Sequence, residues 1–208
     1  MNSLQDFAPD GVEAGVGLAI EDGAGRYLFF LAGARHRCPP GALFYAGIGG
    51  HREEGERWLE CAQREATEEI GTGVEILPAS HTWCLLQGRE PYLADVADAP
   101  RPLALYEMIH PQGTPRAGEL YRIVVYRARL QGAPREFPPD EVSGLIALTR
   151  EHVIQGVSRK PTLESLVAEG AAVVPGPGGL DRKVKLYPLG TAVVLAHVLR
   201  KEERLWSQ

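Results

Sequence analysis

Residues 50–72 read GHREEGERWLECAQREATEEIGT. From Arg57 to Ile70 there is neither Gly nor Pro, and Gly71 stands where a left-handed residue commonly closes a helix. The spacing predicts a helix over 57–70. With Glu65 at zero and an advance of about 100° per residue, Glu68 falls near roughly −60°, Glu69 near +40° and Arg64 near −100°. Leu59, Ala62, Ala66 and Ile70 fall together between about +60° and +140°. One stripe is therefore expected to face a core, and the stripe beside it carries three carboxylates.

That second stripe costs energy. Carboxylates three and four residues apart repel by a few tenths of a kcal/mol per pair at exposed positions. A hard divalent cation such as Mg²⁺ or Mn²⁺ removes the repulsion, because it takes oxygen ligands. Gly49 and Gly50, before the helix, permit a tight loop and close approach of backbone to metal or phosphate. Glu56 is placed in the loop or first turn, where a carboxylate meets the N–H groups of a helix start. A solvated helix face is the bland alternative for a run such as Arg-Glu-Ala-Thr-Glu-Glu. The longer pattern argues against it: Gly, five residues, Glu, seven residues, Arg-Glu, two residues, Glu-Glu, one residue, Gly arises by chance with odds of roughly 2 in 100,000.

This pattern resembles the signature box of the Nudix hydrolase superfamily. Every charged and glycine position matches: Gly50, Glu56, Arg64, Glu65, Glu68, Glu69 and Gly71. Ala66 and Thr72 depart from the bulky apolar residues the signature favours. The resemblance implies an α/β fold, an α/β/α sandwich with a mixed sheet, here with an added C-terminal helical extension. It also implies a metal-dependent hydrolase that cleaves the pyrophosphate of a nucleoside diphosphate linked to another moiety, a nucleotide sugar, an ADP-ribose-like compound or a dinucleotide. Carried over by position, Glu65, Glu68 and Glu69 become ligands of Mg²⁺ or Mn²⁺, helped by the backbone near Gly49. Arg64 orients a box glutamate, while Gly50, Glu56 and Gly71 shape the box. The general base is Glu65 or Glu68, or Glu141 in a later loop. The subgroup marks are missing. A proline 15–16 residues after the box would suit ADP-ribose cleavage, but those positions are Leu86 and Gln87. The tyrosine of dinucleoside polyphosphate hydrolases has its nearest counterpart at Tyr92, 21 residues on. A non-catalytic nucleotide-sensing module and a prenyl diphosphate isomerase remain as alternatives; the intact box disfavours the first and the lack of a telling cysteine the second.

Outward from the box, apolar and aromatic runs predict strands over 12–20, 26–31, 74–77, 82–86, 103–109, 120–130 and 143–148. Residues 1–10 read as a short arm, 44–50 as a short apolar element and 91–102 as a Pro-bounded loop. Helices are expected over 150–157 and 161–169, and residues 171–179 read as loose and glycine-rich. Apolar positions 189, 193–195, 198, 199 and 205 predict a C-terminal helix with one buried stripe. We expect a hydrolase domain over 1–157 and an extension over 158–208, whose helix packs on the core or on a second subunit in a homodimer.

The 208 residues, 44% hydrophobic and 24% charged, fit a globular chain with a full core. A net charge of −5 is a poor match to nucleic acid, though a bound metal can invert the local field for a small anionic substrate. Three cysteines, Cys38, Cys61 and Cys84, form no metal pattern and suit a reducing, cytoplasmic compartment. No apolar run is long enough to span a membrane. Substrate-binding residues are left unassigned. His51 and Arg52 in the box loop and the Arg35-His36-Arg37 cluster could touch phosphates, yet each also reads as ordinary solvated loop. Trp58, Trp83 and Trp206 read as core or interface residues.

Overall fold

The computed structural model describes residues 3–110, 116–135 and 137–206. Its centre is a pair of strands buried on both faces, β1 (Ala14–Glu21) and β8 (Leu120–Leu130), which run parallel with Val16 beside Val124 and Leu18 beside Tyr126. The small and apolar residues of β1 and the buried Ile123–Tyr126 stretch of β8 suit strands covered on both sides. Antiparallel neighbours extend the sheet: β2 (Tyr27–Ala32) lies against β1, and β4 (Val74–Leu77) and β7 (Ala104–Ile109) lie against β8. β9 (Val142–Leu148) pairs with β2, and β5 (Thr82–Leu85) with β7. The short β3 (Ala42–Ala46) also pairs with β2 and leads into the glycines before the box.

Two cores form because β1 alternates. Ala14, Val16, Leu18 and Ile20 face the cluster that includes Cys61, Ala62, Ala66 and Ile70 of α2 (Trp58–Ile70). Ala19 faces the other cluster, with Val125, Leu195 and Val198. On that side α3 (Arg150–Gly156) packs against α5 (Thr191–Trp206), which also lies on β1 and β3. This is the α/β sandwich expected, with a mixed sheet between helical layers. Among the described residues no helix is long and apolar enough to cross a membrane.

Several elements were not legible in the sequence. A helical turn, α1 (Leu4–Phe7), closes the initial arm with a Ser3–Asp6 capping box and buries Phe7. β6 (Tyr92–Ala94) pairs with β5 inside the expected loop. The stretch read as loose contains β10 (Ala172–Pro175), antiparallel to β9. After α4 (Leu163–Ala168), β11 (Lys185–Pro188) runs parallel to β3. Residues after 157 thus add two strands to the same sheet. The side chains of Leu205 and Trp206 lie outside the described set, as does Glu136.

Candidate active site

The box helix starts and stops as its residues dictate. Glu60 reaches back to the Arg57 backbone N–H at 3.0 Å, and Gly71 ends the helix with φ 65°. Burial departs from the helical-wheel expectation. Glu65 and Glu69 are only 9% and 7% exposed, whereas Glu68 is exposed. Leu59, assigned to the core stripe, is 37% exposed. The buried arc runs from Cys61 to Ile70, so it includes two of the carboxylates. The loop of Gly49, Gly50 and His51 covers that side of α2, and a wheel cannot show it.

Glycine makes this cover possible. Gly49 has φ 141°, and a Cβ there would stand 2.3 Å from the Val16 carbonyl oxygen. A Cβ on Gly50 would stand 2.6 Å from both carboxylate oxygens of Glu65. The bare backbone lets the Gly49 N–H donate to the Glu69 carboxylate at 3.0 Å.

Arg64 organises the rest. Its Nε and Nη2 donate to the two oxygens of Glu56 at 2.8 and 3.0 Å. Nη1 donates to Glu65 at 2.8 Å and to Glu68 at 3.1 Å. Nη2 also donates to the His51 carbonyl at 2.7 Å, tying the loop to the helix. Glu56 accepts in addition from the Glu53 N–H at 2.9 Å. The guanidinium therefore holds the Glu56 carboxyl below the usual range and is itself raised.

Glu65 and Glu69 are shifted the other way. Burial raises Glu65, with Arg64 opposing and the charges of Glu68 and Glu56 adding. Burial pushes Glu69 up to about 8, against the Gly49 hydrogen bond and with help from the charges of Glu65 and Glu141. Glu141 reaches this field from the loop before β9, and its carboxylate meets Arg35 Nη1 at 2.5 Å.

The expected ligands fit a hard cation in chemistry: they are carboxylate oxygens that repel one another, and Gly50 leaves a cradle at Glu65 that a Cβ would fill. They are not drawn round one point. Glu65 and Glu68 lean on Arg64, Glu69 on Gly49, and among the described residues no three His, Cys, Asp or Glu side chains form a ready metal cluster.

Gly49 and Gly50 border a cavity of about 1210 Å³. His51, read as an ordinary loop residue, lines it, stacks on Tyr121 at 4.8 Å and pairs with Glu13 at 2.5 Å. Glu13 also meets Arg116 and, at 3.4 Å, His110. Burial acts against its ionisation, but Arg116 and His51 outweigh it and hold the carboxyl low. Arg52 lies over Trp58, 4.2 Å from the ring centroid. Arg35, His36 and Arg37 all line the cavity. Glu13 and Tyr121 carried no motif, and only their place in space brings them to the box.

A family profile, the NUDIX domain, matches residues 12–165. The chain belongs to the Nudix family. It is a Nudix-type pyrophosphohydrolase, and residues 50–72 lie within the matched span. No curated protein matches this chain. Among solved structures, the MutT protein from Methanosarcina mazei Go1 is 10% identical, with 91% of this chain and 94% of that chain covered at a TM-score of 0.52. A MutT NUDIX hydrolase from Burkholderia pseudomallei is 24% identical, covering 67% of this chain and 84% of that one at 0.43. An ADP-ribose pyrophosphatase from Streptococcus suis 89-1591 is 14% identical, covering 91% of each at 0.45. At these identities the likeness is one of fold alone.

Proposed function

We propose that this Nudix enzyme cleaves, with Mg²⁺ or Mn²⁺, the pyrophosphate of a nucleoside diphosphate linked to a second moiety. The observation that carries this reading is the group of Glu65, Glu68 and Glu69, packed with Arg64 behind the bare Gly49-Gly50 backbone at the edge of a large cavity. Burial and neighbouring carboxylate charge raise the proton affinity of Glu65 and Glu69, an arrangement poorly matched as a structural device and well matched to a divalent cation.

Glu65, Glu68, Glu69 and the Gly49 backbone would hold the metal. Bound there, a divalent ion supplies charge neutralisation of the pyrophosphate and a more acidic water. The chain's own residues do the rest. Arg64 fixes the directions of Glu56, Glu65 and Glu68. A box glutamate, Glu65 or Glu68, takes the proton from the attacking water, with Glu141 the second candidate because its charge already reaches Glu69. Arg35 and Arg37 offer the cavity positive charge for phosphate oxygens.

The test is a panel of nucleoside diphosphate sugars, ADP-ribose and dinucleoside polyphosphates incubated with Mg²⁺ or Mn²⁺, with product identification. Release of a nucleoside monophosphate that EDTA stops and excess metal restores is the expected result. No metal-dependent release from any of these compounds would leave the nucleotide-sensing reading in its place. The reading also retains a homodimer, and sedimentation equilibrium of the full chain decides it.

A further inference from the structure

The cavity has a wall of rings that the box does not explain. Phe44 on β3 and Tyr187 on β11 are register partners in the parallel pair, and their ring centroids stand 6.3 Å apart. His36 packs edge-on against Phe44 at 5.0 Å, and Phe30 lies 5.8 Å from Phe44. All four line the cavity, and His36 and Tyr187 are only half-buried, so ring surface is open to a ligand. Burial holds the His36 imidazole below its ordinary value, which leaves it a neutral ring near pH 7. Arg35 and Arg37 flank it in sequence and line the same space.

Tyr187 comes from a part of the chain that lies beyond the family profile, which stops at residue 165. It is nevertheless firmly placed. β11 is held along β3 from Lys185 to Pro188, and Leu189 N–H donates to the Tyr45 carbonyl at 2.9 Å. Thr191 then sits where Gly17 and Gly47 lack side chains: a Cβ on Gly17 would lie 2.0 Å from its Oγ1, and one on Gly47 2.8 Å from its Cβ. The C-terminal segment is thus fitted against β1 and the loop that leads to the box.

We propose that this ring-lined wall is the subsite for the planar heteroaromatic base of the substrate, and that Tyr187 of the C-terminal strand determines specificity there. The proposal rests on the pyrophosphohydrolase reading. Every nucleobase offers a flat π face, so stacking on His36 and Tyr187, which Phe44 backs from beneath, holds the base without selecting strongly among bases. The guanidinium groups beside the rings supply charge to the phosphates. The C-terminal segment would then set which diphosphates are used, and the box would supply the chemistry.

The test compares Tyr187→Phe, Tyr187→Leu and Tyr187→Ala with the parent on two diphosphates, a nucleoside diphosphate sugar and the base-free phosphoribosyl pyrophosphate. Tyr187→Ala and Tyr187→Leu should raise KM for the nucleotide about tenfold or more, with kcat within about twofold. Their KM for phosphoribosyl pyrophosphate should stay at the parental value, and Tyr187→Phe should behave as the parent with both. Equilibrium titration with AMP and UMP in EDTA gives a second readout that needs no turnover, and the same loss of affinity is expected. Parental constants in Tyr187→Ala and Tyr187→Leu, an equal loss on both diphosphates, or no binding of AMP or UMP by the parent would each overturn the proposal. If the parent cleaves none of the nucleoside diphosphate sugars, ADP-ribose or dinucleoside polyphosphates, the proposed substrate reading fails, and the AMP and UMP titrations still decide the subsite.

Discussion

Replacing Arg64 with Met keeps the aliphatic stem and removes the guanidinium. The loss falls on Glu56 and Glu65, whose side chains are each 11% exposed and are held at 2.8 Å. Removing one partner of a buried ion pair costs about 3–5 kcal/mol, because the other charge stays behind. Arg64 itself is 25% exposed, so water softens the loss and the lower end, about 3 kcal/mol, is the expected figure. For a chain of this length that lowers Tm by about 6–12 °C. The assay is urea and thermal unfolding in EDTA, so that no metal replaces the lost charge. The pH dependence has a definite sign. Arg64 depresses Glu56, and a depressed carboxyl contributes stability above its unfolded pKa that is lost as pH falls through the folded one. Burial raises Glu65, whose ionised form is the costly one, and losing Arg64 makes it costlier. The gap between parent and variant should therefore widen as pH rises through the raised pKa of Glu65 and close only as pH falls through the depressed pKa of Glu56. A loss under about 1 kcal/mol at pH 7.5 would refute the reasoning, since it would make Arg64 an ordinary surface cation.

Other outcomes follow from the same geometry. Glu68→Gln should lower kcat by orders of magnitude yet leave urea stability within about 0.5 kcal/mol, because Glu68 is exposed; parental turnover would remove it from the site. Glu141→Gln should leave kcat within about fivefold if a box glutamate is the base, whereas a fall of about 10²-fold or more would move that role to Glu141. Ending the chain at Gly179 removes β11 and α5 and uncovers Val125, Ile146 and their neighbours, so circular dichroism melting should show no cooperative transition. Cys61, buried and pushed up to about 12, and Cys84, also buried and raised, should resist alkylation at pH 7.5 until the chain is unfolded, while the half-buried Cys38 reacts first.

The box was legible in the sequence because it is local. Gly50, Glu56, Arg64, Glu65, Glu68, Glu69 and Gly71 sit on one loop and one helix, and spacing along a helix is a geometric statement in itself. The long strands were legible for the same reason: β8 is an eleven-residue run rich in β-branched, aromatic and apolar residues that needs no partner to be recognised. Tertiary structure alone decided what covers each face. A wheel ranks Glu65 and Glu69 beside the apolar stripe, but the Gly49–His51 loop buries them, and burial sets their proton affinities. Leu59, apolar by type, is 37% exposed. β6, β10 and β11 are three or four residues long and take their form from a neighbouring strand's hydrogen bonds rather than from their own composition. Contacts between distant segments, Arg35 with Glu141, Glu13 with His51 and Phe44 with Tyr187, leave no periodic trace in the chain. The spacing of the box carboxylates was legible in the sequence because it is short-range; the shape of the cavity was decided only when strands distant in the chain, β3 and β11, lay side by side.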